Sequence, residues 1–252
     1  MKSESRKTDS LILLYSFTVP MLTVLLCYAF KELAPFGPRS IISMDGFSQY
    51  YPMLMNMTEA VKKGELFYSF SGALGFNLWA QNAYYTNSPL WLILYLVPHS
   101  LQAVTIDLIV VLKIALAGLF FAIRLVKTGK EENYRKRFFV YTAFSVCYAL
   151  SGYMLAFINQ LMWTDVIVLL PLVILGLEEL FKKEKTLLYT FTLFLAVFSN
   201  YYIGFFVCIF ILLAFICYEI CRFESIKKPI VDLLLMALFS LLALGMTLIL
   251  EL

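Results

Sequence analysis

Apolar residues fall in long unbroken runs separated by short polar clusters. The runs are Leu11–Phe30, Val104–Val126, Phe138–Phe157, Thr164–Phe181, Thr186–Ser199, Tyr202–Cys221 and Pro229–Ile249. A bilayer core about 30 Å thick needs about 20 apolar residues to be crossed as a helix. Backbone groups inside it must be satisfied internally, so spans are helices or closed barrels. Continuous rather than alternating apolar positions select helices. The pattern therefore predicts an all-α membrane protein, a multi-span helical bundle of about seven spans. The fifth run is short and joins the sixth through the polar break Ser199–Asn200, as a hairpin or one interrupted span. A further run, Pro89–Pro98, is too short to cross and is expected to lie at the interface or to re-enter.

Composition agrees. The chain is 62% hydrophobic and 15% charged, against about 25% charged residues in ordinary soluble domains. It lacks the polar surface to coat itself in water. The 5 cysteines all lie in or beside apolar runs without a CxxC pair, and read as small buried hydrophobes. A net charge of +3 without a basic, aromatic-interleaved patch gives no sign of a nucleic-acid partner. The stretch Leu11–Phe30 is too long for a signal-peptide core, and no small-x-small cleavage site follows it. It reads as an uncleaved first span.

Lysine and arginine set the expected orientation. Alternate polar segments hold Lys2, Arg6 and Lys7; Arg124, Lys127, Lys130, Arg135, Lys136 and Arg137; Lys182, Lys183 and Lys185; and Arg222, Lys227 and Lys228. The opposite segments hold only Lys31, Arg39, Lys62 and Lys63. Positive charge concentrates on the cytoplasmic side of membrane proteins, so the N-terminus is expected to be cytoplasmic. The loop 31–103 then faces outside, with the turns Asn159–Trp163 and Asn200–Tyr201. The last run ends at Leu252 without a polar tail. Residues 1–252 are therefore expected to form a single transmembrane module, the N-terminal part of a longer protein.

The long loop is unusual in length, and long loops are either functional or disordered. Its aromatic residues, among them Tyr50, Tyr51, Phe67, Trp79, Tyr84, Tyr85 and Trp91, argue against disorder. Pro52 suits a first helical position and Gly64 the residue past the end, so a helix is expected between them. Met53, Met57, Ala60 and Val61 would share one face, lying on the membrane or on the span bundle. Asp45 precedes this helix and is held near the membrane surface. After it, small residues alternate with aromatics and amides from Phe67 through Tyr85. Such a surface suits sugar recognition, and it equally suits a packed interfacial belt.

Two charges add to this. Asp165 opens the fourth run, either as an acid complementing a helix N-terminus or as a second carboxylate facing the same cavity as Asp45. Lys113 lies well inside a span, where a charge costs at least about 2.5–3.5 kcal/mol. Its side chain should lean toward the loop end of its helix, to meet a lipid phosphate or to pair internally with Asp107 or Asp165. Arg124 snorkels toward the opposite face, His99 reads as a solvated loop residue, and Pro20 and Pro171 as tolerated kinks. No nucleotide-binding loop, zinc spacing or catalytic triad is present.

Met44-Asp45-Gly46-Phe47-Ser48-Gln49-Tyr50-Tyr51-Pro52, Phe67–Asn77, Tyr84-Tyr85 with Ser88-Pro89, Leu112-Lys113, Met162-Trp163-Thr164-Asp165 and Asn200-Tyr201-Tyr202-Ile203-Gly204 occur in that order. In this the chain resembles the YfhO family of bacterial membrane proteins. The resemblance implies a glycosyltransferase of the C superfamily, using polyprenyl-phosphate sugars outside the cytoplasm. The acceptor would be a cell-wall polymer such as a teichoic acid, in the plasma membrane of a Gram-positive bacterium. It implies Asp45 as the catalytic acid of the first outer loop, as general base or as organiser of acceptor and a divalent cation, with Asp165 as second acid. Lys113, Gln49, Tyr50, Tyr51, Asn77, Tyr84, Tyr85, Asn200 and Tyr201 would bind substrate. Neither the residues nor the resemblance fixes a cofactor or a metal-ligand set. Family members are many hundreds of residues long, so only their N-terminal part is represented. A transporter or flippase for a lipid-linked glycan, or a non-catalytic scaffold, remains open from the residues alone.

Overall fold

A computed structural model of the protein describes residues 2–65, 67–70, 74–182, 185–221 and 227–251. Lys183 and Arg222 of the charge pattern, Ser71, Gly72 and Ala73 of the aromatic stretch, and the terminal Leu252 lie outside the described residues. The described residues are overwhelmingly helical: α1 (Lys2–Phe30), α2 (Tyr51–Lys63), α3 (Leu78–Tyr85), α4 (Gln102–Thr128), α5 (Tyr134–Ala149), α6 (Gly152–Ala156), α7 (Thr164–Phe181), α8 (Leu187–Ser199), α9 (Tyr201–Cys221) and α10 (Lys227–Glu251). The one described sheet is a two-residue hairpin in which β1 (Tyr68–Ser69) pairs antiparallel with β2 (Phe76–Asn77).

The protein is an all-α membrane-type bundle. Among the described residues, five helical stretches are long and apolar enough to cross a bilayer: Ser5–Phe30, His99–Thr128, Tyr134–Ala156, Tyr201–Cys221 and Lys228–Leu248. The other two expected spans are also helices. However, α7 carries Asp165, Glu178 and Glu179 within its 18 residues, and α8 has only 13 residues. The third expected run breaks at Leu150–Ser151 into α5 and α6, where the Ser151 hydroxyl accepts from the Met154 backbone N–H at 3.5 Å.

α4 is the central helix. Its most apolar window is 61% buried, against 22% for α1 and 28% for α9. α1, α5 and α7 pack around it, and α8 continues the bundle from α7 to α9 and α10. Two apolar cores result. One joins α4 to Val24 and Tyr28 of α1, Tyr50, Leu54, Trp91 and Met154. The other joins Val173 and Leu177 of α7 to Tyr189 and Leu193 of α8, Ile211 of α9 and Met236 of α10. Glycine allows the closest crossings, as small residues do where helices meet without a hydrophobic driving force. A Cβ on Gly176 would sit 2.6 Å from the backbone nitrogen of Tyr189, and one on Gly118 would overlap the Ser16 carbonyl of α1.

The loop before α4 is built as a cap on one end of this bundle. A π-helical turn, Gly46–Tyr50, feeds directly into α2. Pro52 lies in the first turn of α2, and Gly64 closes it with a left-handed φ of 77°. The buried stripe of α2 is Leu54, Met55, Thr58 and Ala60, whereas the sequence pattern favours Met53, Met57, Ala60 and Val61. The helix is rotated by about one residue from that expectation. The π turn ahead of it and its packing on the Pro89–Leu96 segment set its rotation, and neither is visible in the helical periodicity. Asn77 caps α3, its side chain accepting from the Ala80 N–H at 3.1 Å. Pro89–Leu96 is a 3-10 helix that buries Trp91 and Leu94 against α4.

Candidate functional site

The site has a buried half and an exposed half. The buried half starts from Lys113. It lies eleven residues into α4, about 16 Å from the loop end of the helix, and its side chain is 0% exposed. Its ammonium donates to Asp165 Oδ2 at 2.6 Å and to the Leu161 carbonyl at 2.8 Å. It also lies 4.3 Å from the centre of the Trp91 ring, a favourable cation–π position. Asp165, in the first turn of α7, uses its other oxygen to accept from the Ser88 hydroxyl at 2.6 Å. Of the two partners the residues left open for Lys113, the structure selects Asp165. Lys113 is enclosed by protein rather than open to a lipid phosphate.

Asp107 plays a different part. It is fully buried on α4 and accepts from the Ser40 hydroxyl at 2.8 Å. That same hydroxyl oxygen accepts from the Ile42 N–H at 3.0 Å. The segment leading into Asp45 is thus tied to the central helix.

The exposed half is organised around Asp45. Its carboxylate is solvent-exposed just ahead of the π turn and makes no cap there. On that turn, Gln49 Nε2 donates to the Tyr85 hydroxyl at 2.9 Å, and the Tyr50 hydroxyl donates to Gln160 Oε1 at 2.6 Å. Tyr50 and Tyr85 rings lie 5.9 Å apart, Tyr84 and Tyr85 4.6 Å, and Tyr84 and Tyr201 5.8 Å. Asn200, fully buried at the start of α9, donates to the Tyr84 carbonyl at 2.8 Å and accepts from the Ile203 N–H at 2.8 Å. Trp163 Nε1 donates to the Tyr84 hydroxyl at 3.2 Å.

The phenols report the charge beside them. Burial first, and then the negative charge of Asp45, raise the Tyr50 pKa above its ordinary value. Burial first, then neighbouring Tyr84, raise that of Tyr85, with a smaller contribution from Asp45. Both hydroxyls therefore remain protonated donors well into the alkaline range.

Asp45, Gln49, Tyr50, Tyr84, Tyr85, Asn200 and Tyr201 thus share one end of the bundle. Tyr51 packs on the same α4 core as Tyr50, Tyr84 and Tyr85, and Asn77 is spent on capping α3. The two halves are joined through neighbouring backbone. Gln160 receives Tyr50 while Leu161 receives Lys113, and Tyr84 and Tyr85 precede Ser88, which holds Asp165. Asp45 itself makes no hydrogen bond or ion pair with Lys113 or Asp165 among the described residues. Ser88, Gln160 and Trp163 are members of the site that lie inside motifs or turns already noted without being singled out there, whereas Asp107 and Trp91 are noted there in other roles than holding Ser40 and facing Lys113. Among the described residues no group of three or more His, Cys, Asp or Glu is placed to hold a metal ion.

A helical bundle of membrane-crossing length, with a loop-built aromatic platform over a buried Lys–Asp pair, defines a polytopic membrane protein with a polar, aromatic site at one end. The chain belongs to the family of the bacterial membrane protein YfhO, whose family model matches residues 16–252. No curated protein and no solved structure matches it.

Proposed function

We propose that the platform faces the outside of a bacterial plasma membrane, with the N-terminus cytoplasmic. There the protein transfers a sugar from a polyprenyl-phosphate donor to a cell-envelope acceptor such as a teichoic acid. The observation that carries this reading is Asp45, an exposed carboxylate beside a cluster of tyrosines and amides at one end of the bundle. Transfer from a polyprenyl phosphate requires a group to orient or deprotonate the acceptor hydroxyl, and Asp45 is the acid free to do so. The faces of Tyr84, Tyr85 and Tyr201 suit stacking on a sugar ring, with Gln49 and the tyrosine hydroxyls offering hydrogen bonds to its substituents. Asp45 also suits a divalent cation that keeps water and substrate phosphate as its other ligands.

Lys113 and Asp165 act in this reading by position. Their pair locks Leu161 on one side and Ser88 on the other, and so holds the segments that carry Gln160, Trp163 and Tyr84.

The test is Asp45→Asn in the full-length protein, expressed in a deletion strain, with wall-polymer glycosylation measured chemically. The expected result is loss of the sugar with normal protein abundance. Normal glycosylation by the Asp45→Asn protein overturns the role of Asp45. Unchanged glycosylation in the deletion strain itself overturns the function.

A further inference from the structure

α7 and α9 both pack on α8, and more closely than on each other, and a lateral groove lies between them. Two cavities lie along it, of about 460 Å³ and about 510 Å³. Phe210 lines both, so the two cavities adjoin at that side chain. On α7 the lining follows a single stripe, Ile167, Leu170, Ile174, Leu177 and Phe181. On α9 it follows Ile203, Phe206, Phe210, Ala214, Cys217 and Cys221. Spacings of three and four residues keep each stripe on one face of its helix.

The two ends differ chemically. One opens at Trp163 and Tyr202. Trp163 donates to the Tyr84 hydroxyl, and Tyr202 lies 6.2 Å from the Tyr84 ring, so this end meets the Asp45 platform. The other ends at Arg124 and Glu178, paired at 2.6 Å. From Ile203 to Cys221 the helix rises about 27 Å, close to the full hydrocarbon thickness of about 30 Å. A phospholipid acyl chain belongs to one leaflet and reaches only about half that depth. A groove of full depth, starting at a polar site on one side, fits one longer chain.

We propose that the α7–α9 groove holds the hydrocarbon chain of the lipid-linked substrate, with its phosphate end at Trp163 and Tyr202 and its tail passing Phe210 toward Arg124–Glu178. This rests on the lipid-linked donor proposed above and adds where its chain lies. Ala214 lines only the far half, so Ala214→Trp fills that half and leaves the near half open.

The experiment uses the full-length protein in lipid nanodiscs. The probes are a long polyprenyl phosphate and farnesyl phosphate, each with a diazirine at the tail end, and a phosphatidylglycerol with a diazirine at the end of its acyl chain. Labelled peptides are mapped by mass spectrometry. The long probe should mark the Ala214–Cys221 stretch, and farnesyl phosphate should mark only Ile203–Phe210. Unlabelled polyprenyl phosphate should displace both, and excess phosphatidylglycerol neither. Ala214→Trp should abolish the far-half labelling and keep the near-half labelling, which also reports that the variant is folded. Equal labelling by the phosphatidylglycerol probe, labelling that does not saturate, or far-half labelling unchanged in Ala214→Trp overturns the proposal. Saturable labelling together with normal glycosylation by Asp45→Asn keeps the groove and removes the catalytic role of Asp45. Lost glycosylation in Asp45→Asn without saturable labelling does the reverse.

Discussion

At the scale of single residues, the decisive feature is that a fully buried lysine is satisfied on every side. Lys113 meets a carboxylate, a carbonyl and an indole face. Breaking a buried pair by removing one partner leaves an uncompensated charge. Lys113→Met should therefore destabilise the protein by about 3–5 kcal/mol, read as a lowered midpoint in detergent thermal unfolding. Lys113→Met combined with Asp165→Leu should recover part of that loss, because no lone charge remains. A double variant less stable than the single one would show that the pair is not the relevant unit. The phenols give a second prediction. Tyr50 and Tyr85 have pKa values raised above 10.0 in the folded protein. Their unfolded forms deprotonate first, so the folded state binds more protons above about pH 10 and stability falls as pH rises from there. Below that pH their contribution is complete. Tyr50→Phe should remove part of the late-titrating tyrosinate absorbance in a spectrophotometric titration, and an unchanged curve would contradict the buried donor.

At the scale of elements, boundaries followed local chemistry wherever the chemistry was strong. The run Thr164–Phe181 is α7 to the residue, and Gly64 closes α2 where its left-handed φ of 77° requires a residue without a Cβ. Faces and breaks were less legible. The Leu150–Ser151 step that divides α5 from α6 lies in an apolar run, and the rotation of α2 depends on its neighbours. Helix proximity is also an element-scale property. Gly176 lies against the Tyr189 backbone, so any added atom must separate α7 from α8. Gly176→Leu should destabilise by at least about 1–3 kcal/mol, the usual cost of overpacking. Gly64→Ala, with open space around it, should cost about 1 kcal/mol from backbone strain alone. Equal unfolding midpoints for the two variants would contradict the tight α7–α8 crossing.

At the scale of the molecule, α7 and α8 are consecutive helices, five residues apart in the chain and packed side by side. Five or seven crossings therefore leave every other helix with the same orientation, and differ only in whether the turn around Lys185 reaches the far face. At 13 residues α8 is about 20 Å long, short of the hydrocarbon core. The three acids of α7 make that helix a poor lipid-facing span, yet Asp165 is buried and Glu178 is paired with Arg124. With those charges screened by protein, the seven-crossing arrangement is the expected one. Lys185→Cys in an otherwise cysteine-free protein should react with a membrane-impermeant maleimide only after cells are permeabilised, whereas Phe47→Cys should react in intact cells. Labelling of Lys185→Cys in intact cells would leave five crossings.

The membrane helices, the helix that Pro52 opens and Gly64 closes, and the place of Asp45 just ahead of it were determined by the sequence itself. Apolar runs longer than any soluble core needs, and a backbone that must bond to itself in lipid, admit little else. Which acid Lys113 meets was not. Asp107 shares its helix, and Asp165 is fifty-two residues away, so spacing alone favours neither. The choice depends on how α4 is turned against α7 and on a loop that brings Ser88 and Leu161 to the same point, a property of packing between segments distant in the chain. For the same reason the aromatic residues of the long loop were visible one by one, but their convergence on Tyr84, with Asp45 exposed beside them, exists only in the folded molecule.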